Sequence, residues 1–276
     1  MKHLPNLLTL GNLFCGCIAI AYILSAQPYL GTNIGDGGMP AWFWVYGSEQ
    51  MYLGSLFILI AAVCDLLDGF AARALRVFSP IGKDLDSLAD MVSFGVAPSV
   101  ILFKLLWNAA MGETNAFQVN MLALVPAFLV ACFAALRLAK FNITAAQQKG
   151  FFIGMPTPAV GLFVASLPLV LWLAPANYAH FINACLESKW TLYLIIVVLC
   201  WLMVSKVKFI KLMPAKWNIA HTWPQIVLIL ATAAAVPFMK IVAAPFAFVL
   251  YVLLSIIYKQ PDTQEAVPAV TQQEME

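Results

Sequence analysis

Apolar residues in this chain are gathered into long blocks, each near the roughly 20 residues that a helix needs to cross a bilayer. The blocks predict spans over residues 7–26, 51–72, 84–107, 118–138, 157–175, 190–206, 222–238 and 241–258. Only Pro237, Phe238, Met239 and Lys240 separate the last two, which form either a tight hairpin or one kinked feature; the hairpin is the reading adopted. Residues 27–50, with several glycines and Trp42, Phe43 and Trp44, read as an interfacial loop. Beyond Tyr258 the chain turns polar, with Pro261 and Pro268, and a disordered tail is expected over 259–276. The pattern therefore predicts an all-α membrane bundle of eight spans, one integral domain over 1–258.

Composition agrees with that reading and narrows the functions open to it. Hydrophobic residues make up 63% of the chain and charged ones 10%, against about a quarter charged in soluble proteins. A net charge of +2, with scattered basic positions, is too small to imply nucleic-acid binding, and no nucleic-acid partner is expected. The six cysteines lie mostly inside apolar runs without CxxC spacing and read as small packing residues. No small-residue cleavage site follows the first apolar run, so that helix is expected to stay in the membrane. Twelve of the fifteen lysines and arginines fall in alternate connections and at both ends of the chain, all but Lys104, Lys189 and Lys240. Basic residues favour the cytoplasmic side, so both termini are expected there.

The chemistry is concentrated in Val63–Pro98, which carries Asp65, Asp68, Asp84, Asp86 and Asp90. Carboxylates near lipid are costly, which makes them functional suspects. Asp65 and Asp68 are spaced i,i+3 and Asp86 and Asp90 i,i+4, so on helices each pair shares a face. Two facing pairs make an oxygen-rich pocket for divalent cations. Asp84 falls outside both pairs and reads either as a further site acid or as a helix N-terminal acid favoured by the dipole. Gly69 and Ala72 leave room for a ligand or another backbone to approach, and Arg73 offers a planar fork suited to phosphate oxygens. Arg76 and Lys83 serve either phosphate contact or topology. Two cations roughly 3.5–4 Å apart can clamp the attacking and leaving oxygens of a phosphoryl displacement.

Written out, these positions give D-x-x-D-G-x-x-A-R-x8-G-x-x-x-D-x-x-x-D, from Asp65 to Asp90 through Gly82. This pattern resembles the signature of the CDP-alcohol phosphatidyltransferase family at every fixed position. The resemblance implies a core of six spans over about 1–211, with two added spans over 222–258. It also implies a homodimer and a site open to the cytoplasm and the bilayer. By the same resemblance, Asp65, Asp68, Asp86 and Asp90 are metal ligands for Mg2+ or Mn2+, two per site. Asp90 is also the implied general base, and Gly69, Ala72 and Arg73 are the implied contacts to the CDP-lipid.

The shared pattern does not select the acceptor alcohol, but its surroundings bear on it. Leu85–Asp90 (LDSLAD), Ser93–Pro98 (SFGVAP), Arg137–Asn142 (RLAKFN), Phe152–Ala159 (FIGMPTPA) and Leu202–Ser205 (LMVS) are similar to the phosphatidylserine synthase branch. Pro5–Thr9 with Asn12 resemble that branch's opening segment, in which Asn6 and Thr9 either touch the nucleotide or cap the first span. The branch implies transfer of a phosphatidyl group from CDP-diacylglycerol to L-serine in a bacterial cytoplasmic membrane. A zwitterionic acceptor needs a cation for its carboxylate, which Arg137, Lys140 and Asn142 can provide. It needs acceptors for its ammonium, which Ser87, Ser93 or the acids can provide. The rival readings are another acceptor, glycerol phosphate or inositol phosphate, and a divalent-cation transporter built on the same acids. The transporter leaves the Gly69, Ala72 and Arg73 spacing unexplained.

Overall fold

The computed structural model describes residues 4–27, 29–34, 40–45, 48–75, 80–113, 119–144, 151–210 and 219–258. The expected disordered tail and Arg76 lie outside these residues. The described chain is helical apart from two short strand pairs. Helix α1 covers Leu4–Ser25 and α2 covers Ser48–Leu75. Where an interfacial loop was expected between them, β1 (Tyr29–Ile34) and β2 (Pro40–Val45) pair antiparallel, Tyr29 opposite Val45.

One long helical stretch follows. Helix α3 runs Pro80–Asp90, a π turn Met91–Val96, and α4 Ala97–Glu113. Proline at the first position of α3 is favourable, because that residue's N–H has no partner inside the helix. This stretch is the buried axis of the bundle, with Ala89, Phe94, Ile101, Leu102 and Leu105 in the core. Helices α1 and α2 instead turn much of their surface outward, where apolar side chains such as Phe14 and Phe70 suit lipid.

Asn120 opens the next stretch by accepting a hydrogen bond from Leu122 N at 3.0 Å, a side-chain N-cap. It comprises α5 (Met121–Leu124), a 3₁₀ turn (Val125–Phe128) and α6 (Leu129–Thr144). Strand β3 (Phe151–Ile153) leads into α7 (Thr157–Leu173), α8 (Ala176–Leu186) and α9 (Lys189–Val204). Strand β4 (Lys208–Ile210) then returns to pair with β3. Helices α8 and α9 meet at 81°. Helix α8 lies where only a connection was expected.

Helices α10 (Ile219–Met239) and α11 (Ala243–Ile257) are joined by a 3₁₀ turn over Lys240–Val242. They form the expected hairpin. Lys240 has φ 49°, a left-handed residue that breaks the helix. The rings of Trp223 and Tyr258 lie 5.5 Å apart, whereas an unbroken helix would separate them by about 50 Å.

By length and composition, Leu4–Ser25, Glu49–Leu75, Ile81–Met111, Met121–Thr144 and the folded-back Trp223–Ile257 stretch qualify as membrane-spanning segments. Among the described residues the bent α8–α9 pair makes a sixth, against the eight spans expected. The protein is a multi-pass integral membrane protein.

Several close contacts between elements depend on glycine. A Cβ on Gly16 of α1 would run into the Ser93 hydroxyl, and one on Gly161 of α7 would lie 2.9 Å from Phe94 Cα. Gly154, at φ +75°, faces the Met203 carbonyl with no room for a side chain. Phe94 sits in the π turn directly after the acidic helix, so its backbone cannot yield without moving Asp90. Gly161→Ala is therefore expected to destabilise the protein by about 1–3 kcal/mol. Thermal unfolding in detergent checks this, and an unchanged midpoint would show that α7 has slack against the turn.

Candidate active site

The acids converge because α2 and α3 both pack on α1 and face one another across the space beside it. Asp65 and Asp68 occupy one face of the last turns of α2, while Asp86 and Asp90 occupy one face of α3. One carboxylate oxygen each from Asp65, Asp68 and Asp86 lies within 4.8 Å of the others. Asp90 is set slightly apart, within hydrogen-bonding reach of Asp65 and electrostatic reach of Asp86. Asp84 is exposed and stands outside this triad.

Helix α1 holds the acids in place. Thr9 Oγ1 lies 2.7 Å from Asp68 Oδ2, to which it donates, and 3.0 Å from the Pro5 carbonyl. One turn on, the fully buried Asn12 donates from Nδ2 to Asp90 Oδ1 at 3.3 Å. Its main-chain carbonyl accepts from Ser93 Oγ at 3.0 Å. Gly16 permits the close approach of α1 that makes these contacts. Asn12 was not among the candidate site residues. The signal was available: an amide in mid-span, three positions from Thr9, needs a polar partner.

The donor set fits a cation. Asp86 Oδ1 is buried with no hydrogen-bond partner, as is Asn12 Oδ1. A buried acceptor without a donor is unfavourable unless something positive meets it. Here the orphan oxygen belongs to a cluster of three carboxylates, the hard oxygen ligands that divalent ions take. Asp65, Asp68 and Asp86 can hold a metal ion.

Beside the acids, space is open. Nothing lies within 4 Å of where a Gly69 side chain would begin. Arg73 donates from Nε to the Gly69 carbonyl at 2.9 Å, and its side chain is exposed. Ala72 lies one turn beyond Asp68 on α2, and Asn6 is half-buried in the first turn of α1.

The five positions considered for an amino-acid acceptor separate into two groups. Arg137 is buried, donates from Nε to the Met155 carbonyl at 2.6 Å, and lies within electrostatic reach of Asp90. Its guanidinium carbon is 5.3 Å from the Phe141 ring centre and 6.0 Å from that of Phe152. Lys140, one turn on, is exposed. The others make framework contacts. Asn142 Nδ2 donates to Ser87 Oγ at 2.8 Å, Ser87 Oγ donates to the Lys83 carbonyl at 3.2 Å, and Lys83 Nζ donates to the Asn142 carbonyl at 3.0 Å. That closed loop ties α3 to α6, and Ser93 ties the π turn to α1.

The sequence profile of CDP-alcohol phosphatidyltransferases matches residues 2–220. The chain belongs to this family. Among its relatives is the CDP-diacylglycerol–serine O-phosphatidyltransferase of Helicobacter pylori strain 26695, 29% identical over 216 residues, spanning 78% of this chain and 75% of that protein. The protein of the same name from Bacillus subtilis is 28% identical over 214 residues, spanning 76% and 90% respectively. That of Saccharomyces cerevisiae is 41% identical over 126 residues, spanning 43% and 40%. The family match takes in all four acids and ends as α10 begins.

Proposed function

We propose that this chain transfers the phosphatidyl group of CDP-diacylglycerol to the hydroxyl of L-serine, giving phosphatidylserine and CMP. One observation carries the chemistry: three carboxylate oxygens converge within 4.8 Å, with a fourth carboxylate adjoining them. Serine as acceptor is supported by the names of relatives that align with most of the chain.

In this reading Asp65, Asp68, Asp86 and Asp90 hold divalent cations, Mg2+ or Mn2+, two per site. Bound there, the ions supply positive charge to pyrophosphate oxygens. Gly69 and Ala72 leave room for the CDP moiety, and Arg73 meets its phosphates. Thr9 acts through Asp68, and Asn6 lies on the nucleotide side. Arg137, with Lys140 beside it, receives the serine carboxylate. Asn142, Ser87 and Ser93 keep the surrounding helices in register.

Asp90 accepts the proton of the serine hydroxyl as its oxygen bonds to the lipid-side phosphorus. The bond from that phosphorus to the bridging oxygen breaks, and CMP leaves with the electron pair. Arg73 offsets the charge that develops.

The finer architecture is also inferred. Six spans, α1, α2, α3–α4, α5–α6, α7 and α9, make the family core, and the α10–α11 hairpin adds two. The distribution of basic residues supports an orientation with both termini and the site on the cytoplasmic side, where soluble serine meets a membrane-held lipid, and the membrane inferred is a bacterial cytoplasmic one. A homodimer is the assembly implied, and light scattering of the detergent-solubilised protein tests it.

The deciding experiment measures CMP release from CDP-diacylglycerol by the purified protein with serine, glycerol phosphate or inositol phosphate. Serine is expected to be preferred by at least about 100-fold in kcat/KM, because groups placed for one polar acceptor are left unpaired by another. Faster release with either phosphate would overturn serine as acceptor. Cation flux in vesicles without CMP release from any alcohol would overturn the enzyme reading itself.

A further inference from the structure

The α10–α11 hairpin lies almost wholly beyond the family match, yet it grips the chain beside Arg137. Both hydrogen-bonding main-chain groups of Ile210, the last residue of β4, are taken by α11. Ser255 Oγ accepts from Ile210 N at 3.4 Å, and Tyr251 Oη donates to the Ile210 carbonyl at 3.0 Å. Tyr251 and Ser255 are both buried, and the Tyr251 ring lies 5.8 Å from that of Phe209. Phe248 stacks on Phe163 of α7 at 4.3 Å, which fixes α11 against the core.

From Ile210 the contacts lead inward. Ile210 pairs with Phe151 of β3, and Phe209 with Phe152. Just past β3, Gly154 N donates to the Val207 carbonyl at 2.9 Å, and Met155 N to the Leu202 carbonyl at 3.0 Å. The Met155 carbonyl receives Arg137 Nε, and the Phe152 ring lies beside the guanidinium. Strands of three residues in a lone pair have little stability of their own. A brace on their outer end therefore controls how firmly the inner end holds Arg137.

We propose that Tyr251 and Ser255 are positioning residues for the acceptor: through Ile210 and the β3–β4 pair, they set Arg137 for the serine carboxylate. This rests on the assignment of Arg137 to serine made above. It gives the added hairpin a role in acceptor recognition.

Steady-state kinetics of the full-length protein, with each substrate varied in turn, test the proposal. Tyr251→Phe keeps the ring on Phe209 and removes only the donor. It is expected to raise the serine KM about fivefold, the scale of one hydroxyl–carbonyl hydrogen bond. The CDP-diacylglycerol KM and kcat are expected to stay within about twofold. Arg137→Lys is measured alongside. If Arg137→Lys raises the serine KM and Tyr251→Phe does not, the positioning role is overturned while the Arg137 assignment stands. If neither raises it, the assignment fails and the inference with it. A fall in thermal midpoint with both KM values rising together would mean general loosening and would also overturn the role.

Discussion

Asp90→Asn is expected to retain CDP-diacylglycerol binding and lose roughly 10²- to 10⁴-fold in kcat, the range that a positioned general base contributes. A 10³-fold loss corresponds to about 4 kcal/mol of barrier. The amide has the shape of the carboxylate, and its carbonyl can still accept from Asn12 Nδ2, now 3.3 Å from Asp90 Oδ1. Packing around the fully buried Ala89 and Phe94 is left alone. What the substitution removes is the capacity to take a proton. Nucleotide-lipid binding, by isothermal titration or ligand-induced thermal shift, separates the two roles proposed for this residue. Retained binding with lost turnover identifies the base. Loss of both identifies a residue needed chiefly to hold cations, and near-normal turnover sinks the base assignment.

Why the grouping of the acids was readable from sequence, and the partner of Asn12 was not, is a matter of range. The acids stand in a fixed spacing on two successive helices, so local periodicity brings them together. Helical blocks show themselves in the same way: the expected 157–175, 190–206 and 222–238 correspond to Thr157–Leu173, Lys189–Val204 and Ile219–Met239. The hairpin reading was right because Pro237 and Lys240 interrupt an otherwise continuous apolar run, and Lys240 is the left-handed residue. What escaped depends on contacts distant in sequence. Asn12 reaches Asp90 across 78 positions, and Tyr251 reaches Ile210 across 41. Strands β3 and β4 are three residues each and show no alternation long enough to notice. At the π turn Met91–Val96, Gly16 of α1 lies against Ser93 and Gly161 of α7 against Phe94, contacts that no single segment encodes. Serine recognition was read from the segments around the acids, and of its five candidate residues Arg137, Asn142, Ser87 and Ser93 each hydrogen-bond to a neighbouring element.

Asp86→Asn is expected to act in opposite directions on activity and on the stability of the metal-free protein. Three carboxylate oxygens within 4.8 Å repel one another when no cation is present, and Asp86 Oδ1 is buried without a donor. Neutralising one of them relieves that repulsion, so the variant should unfold at a higher temperature than the parent in chelator. Adding Mg2+ or Mn2+ should then stabilise the parent strongly and the variant weakly, since a ligand bound only to the folded state adds stability that grows with the logarithm of one plus its concentration over its Kd. In the CMP-release assay, chelator should abolish parent activity. The variant should need at least about tenfold more metal for half-maximal rate, because affinity at such sites follows the ligand charge count. If the acids served only structure, removing a charge would move stability without making it respond differently to metal. A parent whose melting temperature and activity are both indifferent to chelator would overturn the metal site. The opposed signs matter because general damage from the substitution would lower both quantities together. A cluster kept for function sits at a local cost to stability, and that cost is what the chelator experiment measures.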